Sequence, residues 1–427
     1  MTAEIAICNA NGIALAADSA VSMRDGEKIY NSANKLFSLS KYHPIAIMVY
    51  NSGSLLNVPW ETIIKQYREE LGKNEFGTLK EYGESFWTYI HSQTSWFPQR
   101  EVEGFVEAKI QRLVLEIRER FFQLGNDEEV DASDEDAVRS ILSRVVDEFH
   151  EISLVLEFAD NFDEQDIADI QAESTELFQT VLQRVLENSY DLLADTQKDR
   201  LIAICATCLT KTHFDHYSGV VIAGFGKEEI LPKVASYKAG IFANKKLRIQ
   251  FDQSLSNTGD EEFIPQIFPY AQDDVVRSFI QGVDPEIDKY LISIFSELEA
   301  IASEVPAEAL AGENDAEVEA SRELIRQEIA GYSEKLTESY TQTKYELGTS
   351  ELLAMLNVLP KDELAEMAES LVNLTAFKRR MSAAKESVGG PVDVAILSKG
   401  DGFIWIKRKH YFKPEFNQNY FHNYFPE

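Results

Sequence analysis

The chain has 427 residues, 44% of them hydrophobic, enough to bury a core and to hold two or three domains by size alone. With 72 acidic against 41 basic residues its formal net charge is −31, which repels phosphate backbones and anionic lipid surfaces and argues against a nucleic-acid or membrane partner. Three cysteines, Cys8, Cys205 and Cys208, are too few for a disulfide framework; no apolar run approaches the roughly 18 residues that cross a bilayer, and no secretory signal pattern is present, so a cytoplasmic location is expected.

The first 53 residues read as β structure. Ile5 and Ile7 alternate with Glu4, Ala6 and Cys8; Asn9-Ala10-Asn11-Gly12 supplies the residues of a tight hairpin; Ile13 to Asp18 returns. This hairpin brings residue 2 near residue 18. A second pair follows at Asn34 to Ser40 and Ile45 to Tyr50, the latter a fully apolar run suited to a strand buried on both faces, and it stops at Asn51-Ser52-Gly53.

The spacing then turns helical. Val58, Ile63, Ile64 and Tyr67 mark a helix near 55–72, and a second spans about 78–92. From about 101 to 210 the chain is almost all amphipathic helix, with apolar stripes such as Ile141, Leu142, Val145 and Val146, and Leu177, Val181, Leu182 and Val185, which pack as a bundle. Residues 101–200 hold 27 acidic and 9 basic side chains, a net of −18, read as solvated helix faces. Strands return at Tyr217 to Phe225, Ile230 to Phe242 and Leu247 to Phe251. Helices follow at 271–300, about 316–346 and about Pro360 to Met381, with a link around Pro306 and Gly312. Pro391 to Ser398 and Gly402 to Lys407 form a final hairpin about Lys399-Gly400-Asp401. The fold class expected from this order is α+β, one domain carrying helical insertions.

Amide hydrolysis requires a nucleophile, a base, a group that tunes the base and an oxyanion donor. Thr2, exposed by removal of Met1, would carry both a hydroxyl and a free α-amine, and that amine, with a reference pKa of about 7.7–8.0, is a usable general base. Lys35 would lower the amine pKa by like-charge repulsion, and Asp18 would hold Lys35 charged and oriented. Gly53, after a buried strand, offers an unobstructed N–H to a tetrahedral intermediate.

These residues resemble a known family. Thr2 to Ile7 with Asn11-Gly12-Ile13-Ala14-Leu15-Ala16-Ala17-Asp18-Ser19 is similar to the first hairpin of proteasome β subunits and their bacterial homologues, including the Anbu class, all N-terminal-nucleophile (Ntn) hydrolases. Asn34-Lys35-Leu36-Phe37 resembles the segment bearing their active-site lysine, Ser52-Gly53-Ser54 the turn whose glycine supplies the oxyanion N–H, and Val388-Gly389-Gly390-Pro391 the glycine pair before a late strand. The Asp18 to Lys35 interval is about one residue longer than in the family, with Asp25-Gly26 placed to absorb it. The resemblance covers residues 1 to about 75, 215 to 282 and 360 to 409. It implies a four-layer αββα sandwich, catalytic residues Thr2, Asp18, Lys35 and Gly53 with Ser387 as the hydroxyl that supports the amine, and no cofactor or metal. It further implies a threonine-type peptidase or amidase acting through an acyl-enzyme on a peptide or protein substrate, assembled as a homo-oligomer, with an ATP-dependent unfoldase as a candidate partner. The map that follows is Ntn core at 1–100, an acidic helical insertion at 101–212, core at 213–284, a second insertion at 285–358 and core with an aromatic tail at 359–427.

Two other functions share these residues: a catalytically inactive scaffold of the same fold, and an amidase for a small-molecule amide. Other signals carry less. Cys205-Ala206-Thr207-Cys208 lies in an apolar run and reads as packed core; His213, Asp215 and His216 lack a third ligand cluster; Gly224 and Gly226 lack a dinucleotide-binding context; the tail from His410 reads as packing over the chain's own core.

Overall fold

The computed structural model describes residues 2–23, 28–131, 133–212, 216–259, 263–303, 315–382 and 388–419. The chain is mixed α+β and divides into two compact units, residues 1–36 with 260–427, and residues 37–259. The two helical insertions expected from the sequence fall one in each.

In chain order the elements are β1 (Ala3–Asn9), β2 (Gly12–Ala17), β3 (Val21–Met23), β4 (Lys28–Tyr30), β5 (Leu36–Ser38) and β6 (Ile45–Tyr50), then a small hairpin of β7 (Ser54–Leu55) and β8 (Val58–Pro59). Helices α1 (Trp60–Leu71), α2 (Leu79–Ser92), α3 (Gln99–Asp127), α4 (Glu135–Val155), α5 (Glu164–Leu186), α6 (Asn188–Asp191) and α7 (Asp195–Thr210) precede β9 (Ser218–Gly224), β10 (Lys233–Ala243), β11 (Lys246–Phe251) and β12 (Gln266–Ala271). The chain continues through α8 (Asp274–Gln281), α9 (Pro285–Ser303), α10 (Asp315–Lys344), α11 (Ser350–Val358) and α12 (Lys361–Met381) to β13 (Asp393–Ser398) and β14 (Gly402–Lys407).

The first unit is built on an antiparallel sheet of order β12-β1-β2-β13-β14, in which the opening and closing hairpins of the chain lie side by side. The period-2 alternation sends Ala3, Ile5, Ile7, Ala14 and Ala16 to a core shared with Leu364, Ala368, Leu371 and Val372 of α12. Their opposite-face neighbours Ala6, Cys8, Ile13 and Leu15 are buried as well. The hairpin turn is closed by Asn9, whose Oδ1 accepts from the Asn11 N–H at 2.9 Å while its Nδ2 donates to the carbonyls of Leu356 and Leu359 at 2.9 and 2.8 Å. Helices α9 and α10 run antiparallel, joined by Lys344 and Tyr340 to Asp288, each at 2.8 Å.

The second unit holds the sheet β11-β10-β9-β6-β5. Helices α1 and α2 cover one face with Trp60, Ile63, Ile64, Tyr67, Tyr82 and Phe86 against Ile45, Ile47, Val220 and Ile222. The acidic segment forms its own bundle of α3, α4, α5 and α7 around Ile110, Val114, Leu142, Val145, Phe178, Val181 and Leu182. Cys205 and Cys208 sit on α7, buried as free thiols.

Four expectations change. The tail from His410, expected to pack over the core, is exposed where it is described, at Tyr411 and Phe416 among others. The helix expected from residue 55 begins at Trp60, because Leu56 turns at positive φ and pairs Leu55 with Val58 in a hairpin before the helix can start. The helix expected over 271–300 is two, broken where Gly282 adopts a left-handed φ of +71°. Strand β12 was not expected: Gln266–Ala271 contains Pro269, which fits because β12 is an edge strand and needs no second ladder partner.

Candidate active site

Four polar side chains gather at the open end of the β1–β2 hairpin. They are almost wholly buried, at 4% exposure for Thr2, 0% for Glu4, 1% for Asp18 and 5% for Lys35. The β1 register explains the first three. Glu4 stands opposite Ala17, so Asp18 continues β2 alongside Ala3, and Thr2 and Glu4, two residues apart, share one face of the sheet. The Asp18 N–H donates to the Ala3 carbonyl at 3.1 Å, and from the other side the Gln272 N–H donates to the Thr2 carbonyl at 3.2 Å, just after Ala271 turns the chain at φ +63°. Residues 2 and 3 are therefore held between two neighbours.

Asp18 is gripped by the backbone. Its Oδ2 accepts from the N–H of Gly389 at 2.9 Å and of Ala20 at 3.3 Å, and its Oδ1 from the N–H of Ala3 at 3.3 Å. The Gly389-Gly390 pair reaches it because Ser19 bonds back to the same segment, its N–H to the Gly389 carbonyl at 3.2 Å and its hydroxyl to the Pro391 carbonyl. Gly390 adopts φ +80°, and a Cβ there would lie 2.7 Å from the Asn31 Cβ, so only glycine passes without strain.

Lys35, just before β5, extends its ammonium into this pocket of acceptors. Nζ lies 2.5 Å from Thr2 Oγ1, 2.5 Å from Asp18 Oδ1 and 3.2 Å from Glu4 Oε1, so three acceptors meet the three protons of the ammonium. The Thr2 hydroxyl lies 3.0 Å from Asp18 Oδ1 and donates a hydrogen bond to Glu4 Oε1. A hydroxyl between a cation and carboxylates is arranged for proton loss, since the ammonium stabilises the developing alkoxide and a carboxylate can take the proton.

Of the sequence-predicted site residues, the structure brings Thr2, Asp18 and Lys35 together. Gly53 belongs to the second unit, after β6, and nothing lies within 4 Å of where its Cβ would be. It precedes the β7–β8 hairpin rather than opening a helix. Ser387 lies outside the described residues, as do His213, Asp215 and Asp25-Gly26.

Sequence reasoning missed Glu4. It is the one charged residue in β1, and its place two residues after Thr2 was the available signal. Burial pushes its carboxyl up from an ordinary 4.5 to about 7; the Lys35 charge and the Thr2 hydrogen bond pull the other way, and the Asp18 carboxylate adds to the rise. Its second oxygen, Oε2, is buried with no hydrogen-bond partner among the described residues. No protein-family model matches the chain and no curated protein is significantly similar to it, so the geometry of these four side chains is the ground on which a function is read.

Proposed function

We propose that the chain is a threonine-type hydrolase of amide bonds, in which Thr2, freed by removal of Met1, is the nucleophile. The observation that supports this reading above all is the 2.5 Å approach of the Lys35 ammonium to Thr2 Oγ1, with the same ammonium anchored on Asp18. A lysine buried to this degree beside a threonine hydroxyl is costly to desolvate, and lowering the energy of an alkoxide is the work such a cation does.

In this reaction Oγ1 attacks the carbonyl carbon, the tetrahedral intermediate collapses with loss of the amine, and water then cleaves the ester. In the mechanism that the resemblance implies, the α-amine of Thr2 accepts the hydroxyl proton. We assign the oxyanion-donor role to the Gly53 N–H on the strength of the resemblance alone. The fold that the resemblance implies with this reading is the four-layer αββα sandwich; each of the two units holds one five-stranded sheet. The substrate class is a peptide or protein amide.

The test has two parts. Intact mass reports whether the mature chain begins at Thr2. Covalent labelling by a β-lactone or epoxyketone probe is expected in the wild type at residue 2 and to vanish in Thr2→Ala; labelling that survives this substitution removes Thr2 as nucleophile.

A further inference from the structure

The mechanism above leaves the most deeply buried member of the cluster without a task. We propose that Glu4 is a further catalytic residue: its Oε1, already accepting a hydrogen bond from the Thr2 hydroxyl and 3.2 Å from Lys35 Nζ, takes the hydroxyl proton as Oγ1 attacks. This rests on Thr2 being the nucleophile, and changes where its proton goes.

The geometry supports the assignment. Glu4 Oε1 accepts from the Thr2 hydroxyl, and the oxygens of Asp18 are already engaged by three backbone N–H groups and Lys35. Oε2 of Glu4 is buried and unpartnered among the described residues, which leaves that carboxyl spare capacity for a proton that Asp18 lacks. The rise of the Glu4 carboxyl to about 7 places a carboxyl near the working pH, the condition for efficient proton transfer.

The proton traffic closes. As the Oγ1–carbon bond forms, the Oγ1–H bond breaks and its proton moves to Oε1, while the carbonyl π pair moves onto the oxygen. On collapse the carbon–nitrogen bond breaks, its pair stays on nitrogen, and that nitrogen takes the proton from Glu4. In the second half-reaction Glu4 takes a proton from the attacking water and returns it to Oγ1 as the ester breaks.

The experiment measures the second-order rate of β-lactone labelling for the wild type, Thr2→Ala, Glu4→Gln and Glu4→Asp, with the 13C resonance of the Glu4 carboxyl followed from pH 5.5 to 9. Glu4→Gln keeps size and polarity but cannot take a proton, so its labelling is expected to fall on the order of 100-fold or more, with partial return in Glu4→Asp. The wild-type Glu4 resonance, assigned by its absence in Glu4→Gln, is expected to titrate near neutral pH. Loss of labelling in Thr2→Ala with an unchanged rate in Glu4→Gln overturns the role of Glu4 and leaves the nucleophile standing. A Glu4 carboxyl that stays protonated across the whole range also overturns it. A wild type that is never labelled removes both.

Discussion

Replacing Glu4 by glutamine tests the electrostatics of the site without reference to any substrate. The Glu4 carboxyl is raised in the folded chain from 4.5 to about 7, so between those values the folded state holds a proton that the unfolded chain has released. Stability therefore falls as pH rises through this interval and levels off above about 7, the reverse of the behaviour of a salt-bridged acid. At roughly 1.4 kcal/mol per pH unit the whole interval amounts to about 3 kcal/mol. The isoelectric point near 4.6 makes the acid end prone to precipitation, so the usable window opens at about pH 5.5, leaving about 2 kcal/mol to be seen between there and pH 8.5. Glutamine has no proton to lose. Urea unfolding of the wild type and Glu4→Gln at both pH values is expected to show the variant gaining on the wild type by about 2 kcal/mol as pH rises. The change in the difference is the readout, since it cancels contributions of the other carboxylates common to both chains. A difference that stays constant across the window, or one that moves in favour of the wild type, refutes the assignment of a buried carboxyl at residue 4 that titrates well above 4.5.

Three further substitutions probe separate parts of the argument. Lys35→Met removes the cation between Asp18 and Glu4; on the order of 3–5 kcal/mol of stability is expected to go with it, along with β-lactone labelling, and a variant as stable as the wild type would mean that the buried carboxylates do not depend on it. Gly390→Ala forces a left-handed residue and a Cβ against Asn31, for a cost of about 1–3 kcal/mol in chemical denaturation, whereas Gly389→Ala, with open space at its Cβ, is expected to cost less than 1 kcal/mol. Phe178→Ala empties the centre of the acidic helical bundle and is expected to lower its unfolding midpoint by the equivalent of about 3–5 kcal/mol, with hydrogen exchange rising first in α3, α5 and α7; protection unchanged there would show that the bundle is not held by this core.

The local code of this chain is plain wherever periodicity is strong. Alternation in Ala3–Asn9 and Gly12–Ala17 with Asn9 to Gly12 between them specifies a hairpin, and the hairpin alone sets residue 2 beside residue 18. The apolar stripes of 101–210 likewise announce a bundle, and α12 and β14 lie where their patterns put them. Pattern was weakest where packing overrides it. Gln266–Ala271 joins the sheet only because β1 offers a free edge, and Leu56 turns back at positive φ where helical spacing promised a continuous rise.

The site divides in the same way. Thr2, Asp18 and Lys35 could be picked from residue type and order because each has a chemical role that names it in advance. Glu4 could not, since an acidic residue in a strand is ordinarily a solvated one, and its meaning comes from being sealed at zero exposure between a hydroxyl and an ammonium that arrives from 31 residues along the chain. Strand alternation is a property of neighbouring residues and survives in any context. The energy of a buried carboxyl depends on which charges the folded backbone brings to within 3 or 4 Å of it, a distance that no local pattern contains.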